Sequence, residues 1–422
     1  MDVLVKNNIN YILCSKCDLV MELSFLFVGN RASCPRCKSV LASNWLEPHK
    51  RHNVYALTTL FLLFLSNIFP FIDINIAGIN NRIILSQISY TMINDGYTIL
   101  ATLFILFTQF IPICCIIIIF LLINPIKIPT KIKLILARML FQLRNWIMVE
   151  IFMVGMFISL IKLTDYSNIK LQPSFLLWFL FCLLQLRLFQ CIDRNWLWQY
   201  IKPMPKLIQK PIIGKSGLSQ GLRSCPCCTA ILPIIQNKCI RCGIVAGPRY
   251  KYSLQYTLAL LITSIIFYIP ANVMPIMITE IIGLEYPSNI INGIIILWNE
   301  SYYFISLLIF ACSIVVPVLK ILSMGWLCWN AYGMGNNESQ TMHSIYNFIK
   351  FIGRWSMIDM FVILILSSLL RMGTLIKIYP ASGLLLFVLV VILTMMAEMN
   401  FDPRLIWDRI NHNQRNYYLN GN

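Results

Sequence analysis

Two cysteine quartets, Cys14-x2-Cys17 with Cys34-x2-Cys37 and Cys225-x2-Cys228 with Cys239-x2-Cys242, each stand directly ahead of a long apolar block. A pair of C-x-x-C knuckles supplies four thiolates in the tetrahedron that Zn²⁺ prefers. The intervening lengths, 16 and 10 residues, suit short β-hairpins. The pattern predicts one unit used twice, a small metal ribbon followed by an apolar module. Four thiolates leave no coordination position for water or substrate, so the expected cofactor is two structural zinc ions. A redox role for the C-x-x-C pairs would need βαβ surroundings, and none is visible.

The apolar blocks are too hydrophobic for soluble cores. The chain is 58% hydrophobic and 12% charged, where soluble domains carry about 25% charged residues. Eight stretches are long enough to cross about 30 Å of hydrocarbon as helices, near 53–71, 97–123, 146–164, 174–192, 252–271, 302–329, 355–375 and 381–399. The expected fold class is therefore an all-α polytopic membrane protein. Its domains are a ribbon at 1–50, a module at 51–200, a ribbon at 201–250, a module at 251–400 and a tail at 401–422. No cleavable signal peptide is visible, because Cys14 and Cys17 stand where an apolar core would be needed.

Orientation follows from the basic residues. An even number of spans puts both termini on one side, and 27 of the 34 Lys and Arg fall on that side. The opposite loops hold Arg82, Lys162, Lys170, Arg371 and Lys377. Both termini and the segment 193–251 are thus expected in the cytoplasm. The net charge of +17 is mostly this topological signal rather than a nucleic-acid footprint. Reducing cytoplasm favours metal thiolates over disulfides. Cys227 is a spare within a knuckle, and Cys114, Cys115, Cys182, Cys191, Cys312 and Cys328 read as small apolar packing residues.

The two modules align as a parallel repeat. Asn67-x-x-Pro70 and Asn272-x-x-Pro275 close their first spans, and 45 residues after each Asn come Pro112 and Pro317. Trp146-x-x-x-Glu150 then matches Trp355-x-x-x-Asp359. Asp193-Arg194 matches Asp402-Pro403-Arg404. A proline inside a span removes a backbone hydrogen bond and bends the helix. In the outer loops, Ile83 to Ile93 and Ile290 to Trp298 are expected either to pair as strands or to lie as interfacial elements.

Ionisable groups inside spans cost about 2.5–3.5 kcal/mol each on insertion scales, so they mark function. Lys320 lies roughly 9–13 Å beyond Trp326 and Trp329 at the helical rise per residue. Asp359 starts from the same side one span later and reaches similar depth. Ser313 shares a face with Lys320, Ser356 with Asp359, while Thr394 and Glu398 offer hydroxyl and carboxyl partners from the last span. The cluster is either a proton or substrate relay or a structural ion pair. In module one, Cys115, Thr108 and Ile147 stand where Lys320, Ser313 and Ser356 stand, and Glu150 alone remains of the Lys–Asp pair. Arg187 and Arg371 lie near span ends and are expected to snorkel. Gly214-Lys215-Ser216 echoes a phosphate-binding loop, but Gln209 stands where that motif needs its first Gly. No hydrolase arrangement surrounds the four histidines, His49, His52, His343 and His412, and the chain is not expected to be an enzyme.

The layout resembles the paraquat-inducible protein A family over essentially the whole chain. The segments that carry the resemblance are Ser33-Cys-Pro-Arg-Cys37, Pro270-Ala-Asn-Val-Met-Pro-Ile-Met277, Gly353-Arg-Trp-Ser-Met-Ile-Asp359 and Phe401-Asp-Pro-Arg-Leu-Ile-Trp407. The resemblance implies tetraspanin-like four-helix modules in the inner membrane of a Gram-negative bacterium. It also implies a periplasmic MCE-domain tunnel as partner and movement of lipid between the two membranes. Ser313, Lys320, Ser356, Asp359 and Thr394 match the family's polar cluster by residue type and position. A passive anchor for the tunnel and a zinc-based membrane sensor stand as alternatives.

Overall fold

The computed structural model describes residues 10–23, 26–45, 48–76, 79–124, 127–164, 168–205, 210–281, 283–299, 301–332, 339–353, 355–369 and 376–408. The first ribbon pairs β1 (Asn10–Leu13) with β2 (Val20–Leu23) and β3 (Arg31–Ser33) with β4 (Val40–Ser43), both antiparallel. A membrane-sized helix follows, α1 (Pro48–Ile68), then a hairpin of β5 (Ile72–Ile76) and β6 (Ile79–Ile83). Next come α2 (Leu85–Asn94) and α3 (Thr98–Ile105), which continues through a π-helical turn, Leu106–Phe110, into α4 (Ile111–Ile123). After α5 (Thr130–Leu143), a 3-10 turn leads to α6 (Val149–Thr164). The half closes with β7 (Asn168–Leu171), α7 (Pro173–Cys191) and the short α8 (Arg194–Ile201). β5 is central in the sheet β6-β5-β7.

The second ribbon contains β8 (Leu222–Ser224) and β9 (Ile231–Pro233). The same order of elements then recurs: α9 (Ser253–Val273), β10 (Met277–Ile281), β11 (Leu284–Ser288), α10 (Ile290–Asn299) and α11 (Tyr303–Phe310). A π-helical turn, Ala311–Val315, leads into α12 (Val316–Ala331). α13 (Ser339–Ile352), a 3-10 turn at Trp355–Met357, α14 (Ile358–Leu369), β12 (Ile376–Pro380) and α15 (Ser382–Asn400) complete it. From α1 to α4 each element starts 205 residues ahead of its counterpart, as Pro48 does for Ser253. From α5 onward the offset is 209, or within a residue of it.

Six helical stretches are long and apolar enough to cross a membrane: Thr98–Ile123, Thr130–Ile161, Pro173–Cys191, Ser253–Val273, Ser306–Ala331 and Ser382–Asn400. The expected first span is covered by α1. The expected span at 355–375 is described only as the 3-10 turn and the 12-residue α14, because residues 370–375 lie outside the described set. Two local expectations are corrected. Segments 124–145 and 83–93, read as a loop and as strand-or-interfacial, contain the helices α5 and α2, and 290–298 is the helix α10. The strands sit just ahead of α2 and α10, and their third partners come from the far end of each half.

The π-helical turns answer the prolines. Pro112 and Pro317 have no N–H to donate, and their rings crowd the preceding turn; a widened turn removes the clash. In each case the first donor after the turn reaches back five residues, Ile111 to Leu106 and Val316 to Ala311. Thr108 and Ser313 sit at the same place in these turns. Their hydroxyls donate to the carbonyls of Phe104 and Ile309, both at 2.7 Å.

Within each half the first and last long helices pack on each other, α1 on α7 and α9 on α15. The halves meet where α6 lies against α14. Gly155 permits that approach, since a Cβ there would stand 3.2 Å from Phe361 Cβ. Phe361 in turn sets its ring edge-on to Phe152 and Phe104, with centroids at 5.7 and 6.4 Å. Gly155→Val should force the two helices apart and destabilise the protein by about 1–3 kcal/mol, the usual cost of overpacking. Thermal unfolding in detergent measures it, and an unchanged midpoint would mean that this contact does not join the halves.

Candidate functional site

Each of the four knuckles is built the same way. The residue after the second Cys adopts a left-handed backbone: Asp18 at φ 61°, Lys38 at 54°, Thr229 at 57° and Gly243 at 76°. Its N–H donates to the carbonyl of the first Cys, at 3.0, 2.8, 3.1 and 2.8 Å respectively. The turn thereby presents both thiols on one side. In each quartet the four sulfurs lie within 4.8 Å of one another, and all eight cysteines are buried. The shortest Sγ···Sγ distances are 3.5 Å, for Cys14–Cys37 and Cys17–Cys34 in one and Cys225–Cys242 and Cys228–Cys239 in the other. Tetrahedral Zn–S bonds of about 2.3 Å need sulfurs just under 4 Å apart, so both quartets fit a metal ion with a closed coordination sphere. Hydrogen bonds from Cys17 and Cys34 pull the Cys14 thiol down to about 6. Those from Cys225 and Cys228 hold Cys239 well below the usual thiol range. Cys115, Cys182, Cys191, Cys312 and Cys328 are buried among the helices, with Cys114 half-buried.

The ribbons are crossed. Cys14, Cys17, Cys34 and Cys37 share one apolar cluster with Leu261, Met324, Leu327, Met342, Tyr346 and Trp407, all from the second half. Lys16 Nζ donates to Asn347 Oδ1 at 2.8 Å, and burial with the neighbouring Lys350 charge pulls that ammonium below its ordinary pKa. The second ribbon rests on the first half. Arg138 of α5 donates to the Cys242 carbonyl, Arg194 Nε to that of Cys227 at 2.6 Å, and Lys202 Nζ to that of Ile240 at 2.7 Å. β4 of the first ribbon touches the start of α8, where the Ser43 N–H donates to Asp193 Oδ2 at 2.6 Å.

The two ribbons also join each other. The Val20 N–H donates to the Lys215 carbonyl at 3.0 Å, and the Gly214 N–H to the Val20 carbonyl at 2.9 Å. Arg249, just ahead of α9, ties this junction to the tail. It holds Asp18 at 2.9 Å and grips both oxygens of Asp408 at 2.6 and 2.7 Å. Burial alone would lower the Arg249 pKa, and the Asp408 and Asp18 carboxylates more than reverse that. Sequence reasoning missed Asp18 and Arg249. The only trace was an acid directly after a knuckle and a lone Arg between ribbon and helix.

The membrane cluster is organised around Lys320. It projects from α12 with a side chain 2% exposed, and its Nζ lies 3.2 Å from Glu398 Oε2 of α15. Gly353, at the end of α13, makes room for the pair. A Cβ there would stand 2.6 Å from Lys320 Nζ and 3.0 Å from Glu398 Oε2. The 3-10 turn of Trp355–Met357, which carries Ser356, packs against α12, α15 and the π-helical turn. Asp359 is the second residue of α14, and the side chains of Ser356 and Asp359 lie outside the described residues. Thr394 is buried and donates to Val391 O at 3.0 Å. Ser313 is buried in the π-helical turn. Of the expected groups, the structure thus brings Lys320 to Glu398, with Ser313 and Thr394 bonding to their own helices. Gly353 could have been found from the sequence only as a small residue ahead of Trp355.

The first half differs at every equivalent place. Cys115, fully buried, stands 205 residues ahead of Lys320. Arg144 and Phe189 stand 209 residues ahead of Gly353 and Glu398, with the guanidinium 5.8 Å over the ring. Glu150 is exposed in the first turn of α6.

Long apolar helices, two four-cysteine metal sites and a buried ion pair among the helices define a multi-pass membrane protein with metal-binding ribbons. The family model for paraquat-inducible protein A matches residues 50–202 and 254–411, and the chain belongs to that family. It is 51% identical to Intermembrane transport protein PqiA of Escherichia coli K12 over 94% of this chain and 96% of that protein. It is 28% identical to a probable intermembrane transport protein of Haemophilus influenzae over 93% and 95% of the two chains. Identity to Lipophilic envelope-spanning tunnel protein A of E. coli K12 is 27% over 94% and 91%. No solved structure matches the chain.

Purified protein should carry about two zinc ions per chain, four thiolates to each. Cys34→Ser should remove one and raise hydrogen exchange in α12 and α13, whereas Cys239→Ser should do so in α5 and α8. Loosening of the half that directly follows the altered ribbon would contradict the crossed packing.

Proposed function

We propose that this protein is the inner-membrane component of an intermembrane lipid transport system, loading or extracting lipid at a periplasmic MCE-domain tunnel. Eight spans form two parallel four-helix repeats, with α1 and α14 completing the set. Both termini and both zinc ribbons face the cytoplasm, and the β-sheets face the periplasm. The 27-to-5 split of basic residues outside the spans supports this orientation. The printed names of the relatives, intermembrane transport and an envelope-spanning tunnel, support the pathway.

The observation that carries a working role is the buried Lys320–Glu398 pair. Two charges taken out of water lose several kcal/mol each to desolvation. An apolar pair would fill the same space at no such cost, as Cys115 and Phe189 do at the equivalent places in the first half. The second half is also the looser one: Ser306–Ala331 is 28% buried over its apolar window, against 50% for Thr98–Ile123. On this reading Lys320, Glu398 and Asp359 form the proton-coupled site in module two, with Ser313, Ser356 and Thr394 around it.

Lys320→Ala, Glu398→Gln and Asp359→Asn should each abolish envelope-barrier complementation at normal protein level in a strain lacking the system. Glu150→Ala should leave it largely intact. The double change Lys320→Met with Glu398→Leu separates the readings. It keeps the volume and removes the charges, so restored transport would replace the relay by a structural ion pair, and a working Asp359→Asn variant would remove Asp359 from it.

A further inference from the structure

Arg36 and Lys215 approach one cavity from two different ribbons. The cavity, about 570 Å³, is lined by Leu19, Arg36, Gly214, Lys215, Ser216 and Ser219, among others. That volume falls within the 300–1,000 Å³ or so of small-molecule sites. It lies on the seam between the ribbons, where Leu19 and Ser216 form a β-bridge. The sequence motif around Lys215 lacks the glycine of a phosphate-binding loop, and the local backbone is strand-like pairing rather than such a loop.

The charge balance of the cavity is one-sided. None of its lining residues is acidic. Asp18, behind Ser216, is already engaged by Arg249 at 2.9 Å and by the Leu218 N–H at 3.1 Å. The Arg36 guanidinium lies 4.4 Å over the Trp407 ring, which steadies its plane without using its N–H donors. Among the described residues, no acceptor takes those donors or the Lys215 ammonium. The Ser216 and Ser219 hydroxyls already bond to Asp18 and to the Ser216 carbonyl, at 3.4 and 2.7 Å. Recognition therefore falls on the two cations.

We propose that this cavity binds a phosphate-bearing anion that ties the two ribbons together. Arg36 presents a planar fork suited to two phosphate oxygens, and Lys215 adds a point charge from the facing ribbon. Because each ribbon rests on the opposite half of the membrane domain, an anion at the seam would stiffen a link between the halves that does not pass through the membrane helices or the tail. The site does not depend on the transport reading.

Full-length zinc-loaded protein in phosphatidylcholine nanodiscs should gain hydrogen-exchange protection at residues 34–38 and 212–219 on titration with inorganic phosphate at constant ionic strength. A second arm replaces part of the lipid with phosphatidylglycerol and adds no phosphate. Protection in the first arm identifies a soluble phosphate compound as the ligand, and protection in the second alone identifies a lipid headgroup. Arg36→Gln and Lys215→Gln should each weaken binding about tenfold, as expected for one charged hydrogen-bonding partner. Lys131→Gln, on α5 and outside the cavity, should leave it unchanged. Lys215 is exposed, so its variant keeps the fold, which zinc content verifies. No protection in either arm, equal protection by chloride, or unchanged affinity in both cavity variants would overturn the proposal.

Discussion

Hydrocarbon offers no hydrogen-bond partners, so every polar group carried into the long helices must be matched from within the chain. The two in-helix prolines show how strictly this holds. Each is preceded by a π-helical turn, and in each turn a hydroxyl returns a hydrogen bond to the carbonyl four residues earlier. Ser313 and Thr108 make the same bond in the two halves, so that bond belongs to the frame. Lys320 has no counterpart of that kind. Its match comes from another helix, Glu398 on α15, and fits only because Gly353 leaves the space.

Much of this was legible before any coordinates. Apolar length announced the helices, and the paired prolines announced that the halves would share an order of elements. The knuckles were plain because C-x-x-C spacing is a local property. Depth in the membrane could also be read, since Trp326 and Trp329 mark an interface near Lys320. Rotation about the helix axis could not, and so Asp359 and Glu398 stood as equal candidates for its partner. Segments 83–93 and 290–298 were ambiguous for a different reason. A ten-residue Ile-rich run satisfies strand and helix patterns alike, and its β-branched residues bias the reading toward strand.

The crossed ribbons were not legible at all. Sequence order sets ribbon one beside α1, yet its buried face fits the ends of α12, α13 and α15. The reason lies in side-chain complementarity across more than 300 residues, as between Lys16 and Asn347. One consequence is mechanical. The helices that carry Lys320 and Glu398, and the helix that ends at Gly353, are the helices on which the first metal ribbon sits. Metal binding that contributes to folding of that ribbon therefore also supports the ends of the helices that hold the ion pair.

The contrast between the halves gives the ion pair its weight. Cys115, Arg144 and Phe189 occupy the places of Lys320, Gly353 and Glu398, and the first half closes around them with an apolar contact and one guanidinium over a ring. The common frame therefore stands without a Lys–Glu pair. Where the pair is present, desolvation works against it, and an apolar replacement of equal volume is neutral or stabilising in many proteins. A costly arrangement that the architecture does not require, set in the less tightly packed half and over a helix break, is better explained by what Lys320 and Glu398 do than by what they hold together.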